Sequence, residues 1–154
     1  MASWSRLARF RGSPPARNVR KREAGVGVEK PRIVGVEPTH AACVMASLAA
    51  DRLISVPGPH DSVMAGLNCG TPSLIAWPLL RAGLDAIIAI DDEPALSSVR
   101  TLAEDGLEVG ECSGAFVAAA EELLAGPHAG SHRARLGIDD KSSVLLFATE
   151  GVTS

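Results

Sequence analysis

The sequence predicts an α/β fold, a layered and mostly parallel sheet with helices on both faces. Three observations carry this expectation. Short apolar runs with β-branched residues recur in "RIVGVEP" (32–38), "DAIIAI" (85–90) and "SVLLFA" (143–148). Between them, apolar residues return every three to four positions, and Gly, Pro or Asp punctuates each change of pattern. Strands alternating with helices favour parallel pairing, because a parallel neighbour requires a crossover long enough to hold a helix.

The elements follow in order. "RIVGVEP" reads as a strand ended by Pro38, and Thr39 is expected to cap a helix that turns Ala42, Met45, Ala46 and Ala49 inward. Thr71 and Pro72 suit an N-cap and a first helical position, with Gly83 as the stop. Pro78 would then kink that helix, since it lacks an N–H and crowds the preceding turn. "DAIIAI" reads as a strand buried on both faces. Asp91 or Asp92 caps the next helix, which ends at Gly106 and turns Leu96, Val99, Leu102 and Ala103 inward. "FVAAAEELL" gives another helix, and "SVLLFA" (143–148) a last buried strand.

Composition bounds what such a fold does. With 46% of 154 residues hydrophobic, the chain suffices for one modest core and a single domain. Only 3% are aromatic, which disfavours a stacking surface for single-stranded nucleic acid. No apolar run approaches the ~20 residues of a membrane span. Cys43, Cys69 and Cys112 are odd in number and widely spaced, which fits neither a disulfide framework nor a zinc site, and a reducing cytoplasm is expected. His128 and His132 stand four apart in "GPHAGSHRAR", but Gly and Pro predict a loop there rather than a metal-binding helix. His40 and His60 read as surface or capping groups, and no metal site is expected.

Charge divides the chain. Residues 1–30 hold eight Lys or Arg against two acids, whereas residues 31–154 hold seven against sixteen. The first part, with Pro14-Pro15 and little periodicity, reads as a basic, disordered leader outside the sheet. Its Arg-rich, acid-poor composition, with Trp4, Leu7 and Phe10 three apart, also suits a transit peptide or a nucleic-acid-binding arm; a solvated tail is the simpler reading, with no nucleic acid and no membrane as partners.

Four stretches in fixed order carry a family resemblance: "VEPTHAACVMASL", "SVMAGLNCGTPSLIAWPLLRAG", "LEVGECSGAF" and "LLFATEG". Residues 31–154 resemble the C-terminal half of the diaminopropionate ammonia-lyases, within the tryptophan-synthase-β-like family, fold type II, of pyridoxal-phosphate enzymes. The most specific piece is "MAGLNCGTPS". The resemblance implies part of the large domain of such an enzyme, with pyridoxal 5'-phosphate as cofactor and a small amino acid as substrate. It implies that Thr149, after the last strand, faces the pyridine nitrogen. A neutral hydroxyl there would not hold the nitrogen protonated as a carboxylate would, which moderates the electron sink and favours elimination. Alternatively, Thr149 ends a strand and caps its own turn.

By the same resemblance, Gly66 and Gly70 belong to the turn on the cofactor side, where a missing Cβ lets backbone approach a ligand; turn formation alone would also explain them. Cys69 beside a helix start suits either an activated thiol or a small buried side chain. Residues 110–114 resemble the family's "GES-G" lead into a helix, with one additional residue before Gly114. Gly25 and Gly27 in "AGVG" resemble the start of the family's phosphate cradle, but the helix expected after it is missing before Pro31.

Complete members attach the cofactor through a lysine in their N-terminal half, then use it and an upstream aspartate as acid and base. Lys21, Lys30 and Lys141 are the only lysines here, none in such a segment, so no catalytic residue is assigned. The expectation is a C-terminal fragment of a lyase that releases ammonia from 2,3-diaminopropionate to leave pyruvate, inactive alone. It would be completed by a complementary N-terminal half or as a homodimer. The competing expectations are a non-catalytic remnant or interaction module with an open sheet edge, and a fragment of a threonine or serine dehydratase-like enzyme, which "MAGLNCGTPS" disfavours.

Overall fold

The computed structural model describes residues 5–9 and 31–151. Among the described residues three strands form one sheet, β1 (Ser5–Arg9), β2 (Val34–Pro38) and β3 (Ala86–Ile90), in the order β1-β3-β2. The α-helices among the described residues are α1 (Cys43–Ala50), α2 (Trp77–Gly83), α3 (Asp92–Glu104), α4 (Glu111–Ala125) and α5 (Ala129–Leu136). The α/β class stands as expected from the alternation of patterns.

The sheet is built around β3, whose five apolar residues are all buried. A strand without polar side chains must be covered on both faces and flanked on both edges. β2 pairs with it in parallel, Val34 opposite Ala86 and Pro38 opposite Ile90. β1 pairs on the other edge, antiparallel, with Ser5 opposite Ile90. Residues 5–9 therefore depart from the expectation of a leader outside the sheet, and the described sheet combines one parallel with one antiparallel pairing.

Alternation along the strands sorts the helices. Ala86, Ile88 and Ile90 share one face with Val34 and Val36, and this face packs on Ala118, Ala119, Leu123 and Leu136 of α4 and α5. Glu37 points the other way, is buried, and holds the start of α1: its carboxylate accepts hydrogen bonds from the N–H groups of Val44 at 2.7 Å and Met45 at 2.9 Å. Glu37 thus performs the capping that the sequence suggested for Thr39, whose hydroxyl instead donates to the Asp91 carboxylate. Thr39 lies in a short 3-10 turn, Thr39–Ala41, which delays the helix to Cys43. Burial pushes the Glu37 carboxyl above its usual range, against the pull of the two N–H donors.

Other expectations also shift. α2 begins at Trp77 rather than Pro72, and Pro78 occupies its first turn, where its missing N–H would have had no helical partner, so the expected kink is absent. α3 starts after Asp91, with Asp92 and Glu93 in its first turn favourably placed against the helix dipole. It closes at Gly106, whose φ of 80° suits glycine. Its buried residues are Ala95 and Ser98, and Ala103 is exposed rather than inward. Residues 129–136 are helical, not a loop: Gly137 at φ 70° and the Ile138 N–H donating to the Arg133 carbonyl at 2.9 Å finish the helix after its last turn.

Residues 143–148 are the largest departure. They form no strand, and Val144, Leu145, Leu146 and Phe147 are 41% to 75% exposed. An apolar run becomes a buried strand only when an edge and a covering layer receive it, and among the described residues neither meets this segment. No described helix is long and apolar enough to cross a membrane.

Candidate cofactor-facing site

The site grows from the C-terminal ends of β2 and β3. After β3 the chain enters α3, and Asp92 in its first turn reaches sideways to residues 62–63. Its carboxylate accepts from the Ser62 hydroxyl at 2.6 Å and from the Val63 N–H at 3.1 Å. The Ser62 hydroxyl in turn accepts from the Met64 N–H at 3.2 Å. Met64 is fully buried among Ala95, Cys112 and Ala115, so one side chain anchors this loop to both α3 and α4. Asn68 ties its far end by donating to the carbonyls of His60 at 2.5 Å and Ser62 at 3.3 Å. Between these anchors sits a 3-10 turn, Ala65–Leu67, with Gly66 at its centre.

α4 meets this turn at its N-terminus. Gly114 explains the close packing of α3 on α4: a Cβ there would run into the Ala95 carbonyl and lie 2.5 Å from Val99 Cγ2. The approach brings Gly110, Cys112 and Ser113 beside the Gly66 turn. Residues 149–151 complete the site. The Gly110 N–H donates to the Glu150 carbonyl at 3.2 Å, and the Glu150 carboxylate occupies the space that a Cβ on Gly66 would need. Cys112 is buried; its Sγ lies 3.2 Å from that same Cβ position and hydrogen-bonds to Glu150. Burial, then the hydrogen bond to the Glu150 carboxylate, push the Cys112 thiol up.

The residues expected to face a cofactor are distributed as follows. The Gly66 turn is covered by Glu150, the residue that follows Thr149. Thr149 is exposed, and it follows an unpaired tail rather than a strand. Gly70 lies against the imidazole of His60, which leaves no room for a Cβ, so a packing role accounts for it. His60 is half-buried, with Nε2 3.1 Å from the Val56 carbonyl oxygen. Gly25 and Gly27 lie outside the described residues. Cys69 is exposed, and Cys43 is buried beside Glu37, which with burial pushes its thiol up to about 12.

His40 is an exposed group paired with Asp61 at 2.9 Å. His128 and His132 approach with ring centroids 6.0 Å apart, but no group of three metal-binding side chains occurs among the described residues. Sequence reasoning missed Glu150, Asp92 and Asn68. Glu150 was readable only as the acid between Thr149 and Gly151, and Asp92 as one of an acidic triplet at a helix start.

The described residues fit one side of a pyridine-type cofactor. Thr149 offers an exposed hydroxyl, the α4 N-terminus supplies a positive dipole end, and two buried polar atoms, Asn68 Oδ1 and Ser113 Oγ, have no partner among the described residues. They do not supply its covalent attachment. Lys141 is the only lysine among them, and it is exposed in a turn closed by Asp139 and Ser142.

The chain is similar to known proteins along most of its length. Residues 16–137 match the family described as pyridoxal-phosphate dependent enzyme. Diaminopropionate ammonia-lyase of Salmonella typhimurium is 35% identical over 132 residues, 80% of this chain and 33% of the relative. Cysteine synthase A of Escherichia coli is 37% identical over 92 residues, 58% of this chain and 26% of the relative. Among solved structures, diaminopropionate ammonia-lyase from Escherichia coli in complex with an aminoacrylate-PLP azomethine intermediate superposes with a TM-score of 0.67 at 25% identity, over 77% of this chain and 30% of that one. Threonine deaminase from T.th. gives 0.56 at 25% identity, over 62% and 34%. The chain spans about a third of the length of the relatives it matches. The family match over residues 16–137 shows that this chain belongs to the pyridoxal-phosphate dependent enzymes.

Proposed function

We propose that this chain supplies the ring-facing side of a pyridoxal-phosphate-dependent lyase that acts on 2,3-diaminopropionate, eliminating ammonia and leaving pyruvate. The observation that carries the reading is the convergence of the Gly66 turn, the α4 N-terminus and residues 149–151 on one spot. The fuller coverage of this chain by the ammonia-lyase than by threonine deaminase, with TM-scores of 0.67 and 0.56, supports that substrate over a hydroxy amino acid.

When bound, pyridoxal phosphate supplies a conjugated electron sink. The Thr149 hydroxyl would be the neutral hydrogen-bond partner for the ring nitrogen, which it would orient without supplying the charge of a carboxylate. Gly66 leaves room for the Glu150 carboxylate over its turn, and Met64, fully buried two residues earlier, anchors that turn to the core. Lys141, the one lysine among the described residues, is held in an exposed turn by Asp139 and Ser142, so the amine that anchors the cofactor is assigned to another part of the assembled enzyme.

The test is a coupled pyruvate assay with pyridoxal phosphate and 2,3-diaminopropionate. The chain alone gives no pyruvate above a protein-free blank. Co-expression with the lysine-bearing part of the Salmonella typhimurium lyase restores turnover. Turnover by the chain alone overturns its dependence on a second part, and turnover of threonine in preference to diaminopropionate overturns the substrate.

A further inference from the structure

Glu150 is absent from the residues expected to bind cofactor, yet it touches both loops that build the site. Its backbone carbonyl accepts from the Gly110 N–H at 3.2 Å. Its carboxylate sits over Gly66 in space that exists only because that residue lacks a Cβ. It also meets the Cys112 thiol in the first turn of α4. Its Cβ and the Gly151 carbonyl close over Gly110, 3.4 Å and 2.8 Å from where a Cβ on that glycine would stand. Two glycines from separate loops therefore form a seat for one acidic residue. The tail before it has no such hold, since residues 143–149 are all exposed.

We propose that Glu150 is a positioning residue, a latch that seats residues 149–151 on the Gly66 turn and the α4 N-terminus and thereby sets where the Thr149 hydroxyl lies. The placement of Thr149 rests on the cofactor-facing reading above; the latch itself does not. The chemistry is a carboxylate accepting a thiol hydrogen bond within a cavity shaped by two glycines. Such a contact has a consequence that packing alone lacks. The carboxylate disfavours the Cys112 thiolate by its charge and hydrogen bond, in the same direction as burial, so removing it lowers the pH at which Cys112 reacts. Glu111 is the neighbouring acid in that turn and remains in every variant below.

The experiment compares the full chain with Glu150→Ala, Glu150→Gln and Gly66→Ala. Hydrogen exchange at the Gly110 amide and iodoacetamide alkylation of Cys112 across pH are read by mass spectrometry. Glu150→Ala should expose Gly110 to exchange and shift the Cys112 alkylation profile to lower pH, so that labelling at pH 8 is faster than in the parent. Glu150→Gln retains a hydrogen-bonding side chain in the seat, so Gly110 stays protected while the alkylation profile still moves to lower pH. Gly66→Ala fills the seat and should reproduce Glu150→Ala with the carboxylate intact. Unchanged Gly110 exchange and unchanged alkylation in both alanine variants would overturn the latch. Pyridoxal-phosphate titration of the co-expressed assembly separates the two claims. Weaker binding in Glu150→Ala supports the positioning of Thr149, and binding equal to the parent overturns it. An assembly in which even the parent takes up no cofactor contradicts the proposed function, while exchange and alkylation still decide the latch.

Discussion

Cysteine environments give the sharpest contrasts at the scale of single residues. Three thiols occupy three settings: Cys69 is exposed, Cys43 is buried against the Glu37 carboxylate, and Cys112 is buried against Glu150. Only a thiolate attacks an alkylating agent, and burial beside a carboxylate disfavours that form twice over. Brief iodoacetamide treatment at pH 8 should therefore label Cys69 and spare Cys43 and Cys112, as peptide mass spectrometry will show; early labelling of Cys43 would contradict the buried setting. His40 offers a second reading by pH. The hydrogen bond and charge of Asp61 raise the His40 pKa above the ordinary 6.5, and His40 lowers that of Asp61. A raised histidine contributes below its unfolded value and loses that contribution as pH rises through its folded value; the lowered carboxylate loses its own as pH falls. The pair thus acts between the two titrations. In NMR, Asp61→Asn should move the His40 midpoint down, and an unmoved midpoint would deny the pair.

Glycine has opposite meanings in different elements. Gly114 lets α4 approach α3, where a Cβ would strike the Ala95 carbonyl, whereas Gly130 in α5 faces open space. Gly114→Ala should cost about 1–3 kcal/mol through overpacking. Gly130→Ala should add roughly 0.5–1 kcal/mol by reducing the freedom of the unfolded chain. Urea unfolding midpoints should move in opposite directions, and shifts of the same sign would show that helix packing does not set these positions. The same scale explains what is legible in the sequence. "DAIIAI" and the acidic start of α3 declare themselves locally, since a short β-branched apolar run stopped by acids favours a buried strand and those acids favour a helix N-terminus. The start of α1 is illegible because its cap, Glu37, lies on the strand before it, seven residues ahead of its first N–H donor. α5 is masked because Gly and Pro near His128 outweigh the closing signal at Gly137.

At the scale of the whole molecule, apolar surface remains uncovered. Leu74 is 75% exposed, Ile75 90%, Leu145 75% and Phe147 68%, far more than a small domain usually leaves on one chain. "SVLLFA" reads as a buried strand because its composition demands cover, and the described residues provide none. Composition declares what a segment needs, while only the fold declares whether the need is met. Light scattering should show the isolated chain associating as concentration rises, with Leu145→Lys and Phe147→Lys together reducing it. A parent that stays monomeric at high concentration would mean that this surface is tolerated in water. The candidate site is legible in part for a related reason: Gly66 and Thr149 stand in recognisable stretches, but Glu150 and Asp92 act through contacts 84 and 29 residues away in sequence, which no local pattern records.

The central claim is that residues 149–151 of this chain face the pyridine ring of the cofactor. It is tested most directly by titrating pyridoxal phosphate into the co-expressed assembly and comparing Thr149→Val with Ser131→Ala, an exposed change on α5. Valine keeps the shape of threonine and removes only the hydroxyl, and an unpaired ring nitrogen in a closed site forfeits about 1–3 kcal/mol. The account predicts cofactor binding weakened by roughly 5- to 150-fold in Thr149→Val and unchanged within about twofold in Ser131→Ala. Binding by Thr149→Val as tight as that of the parent would contradict it.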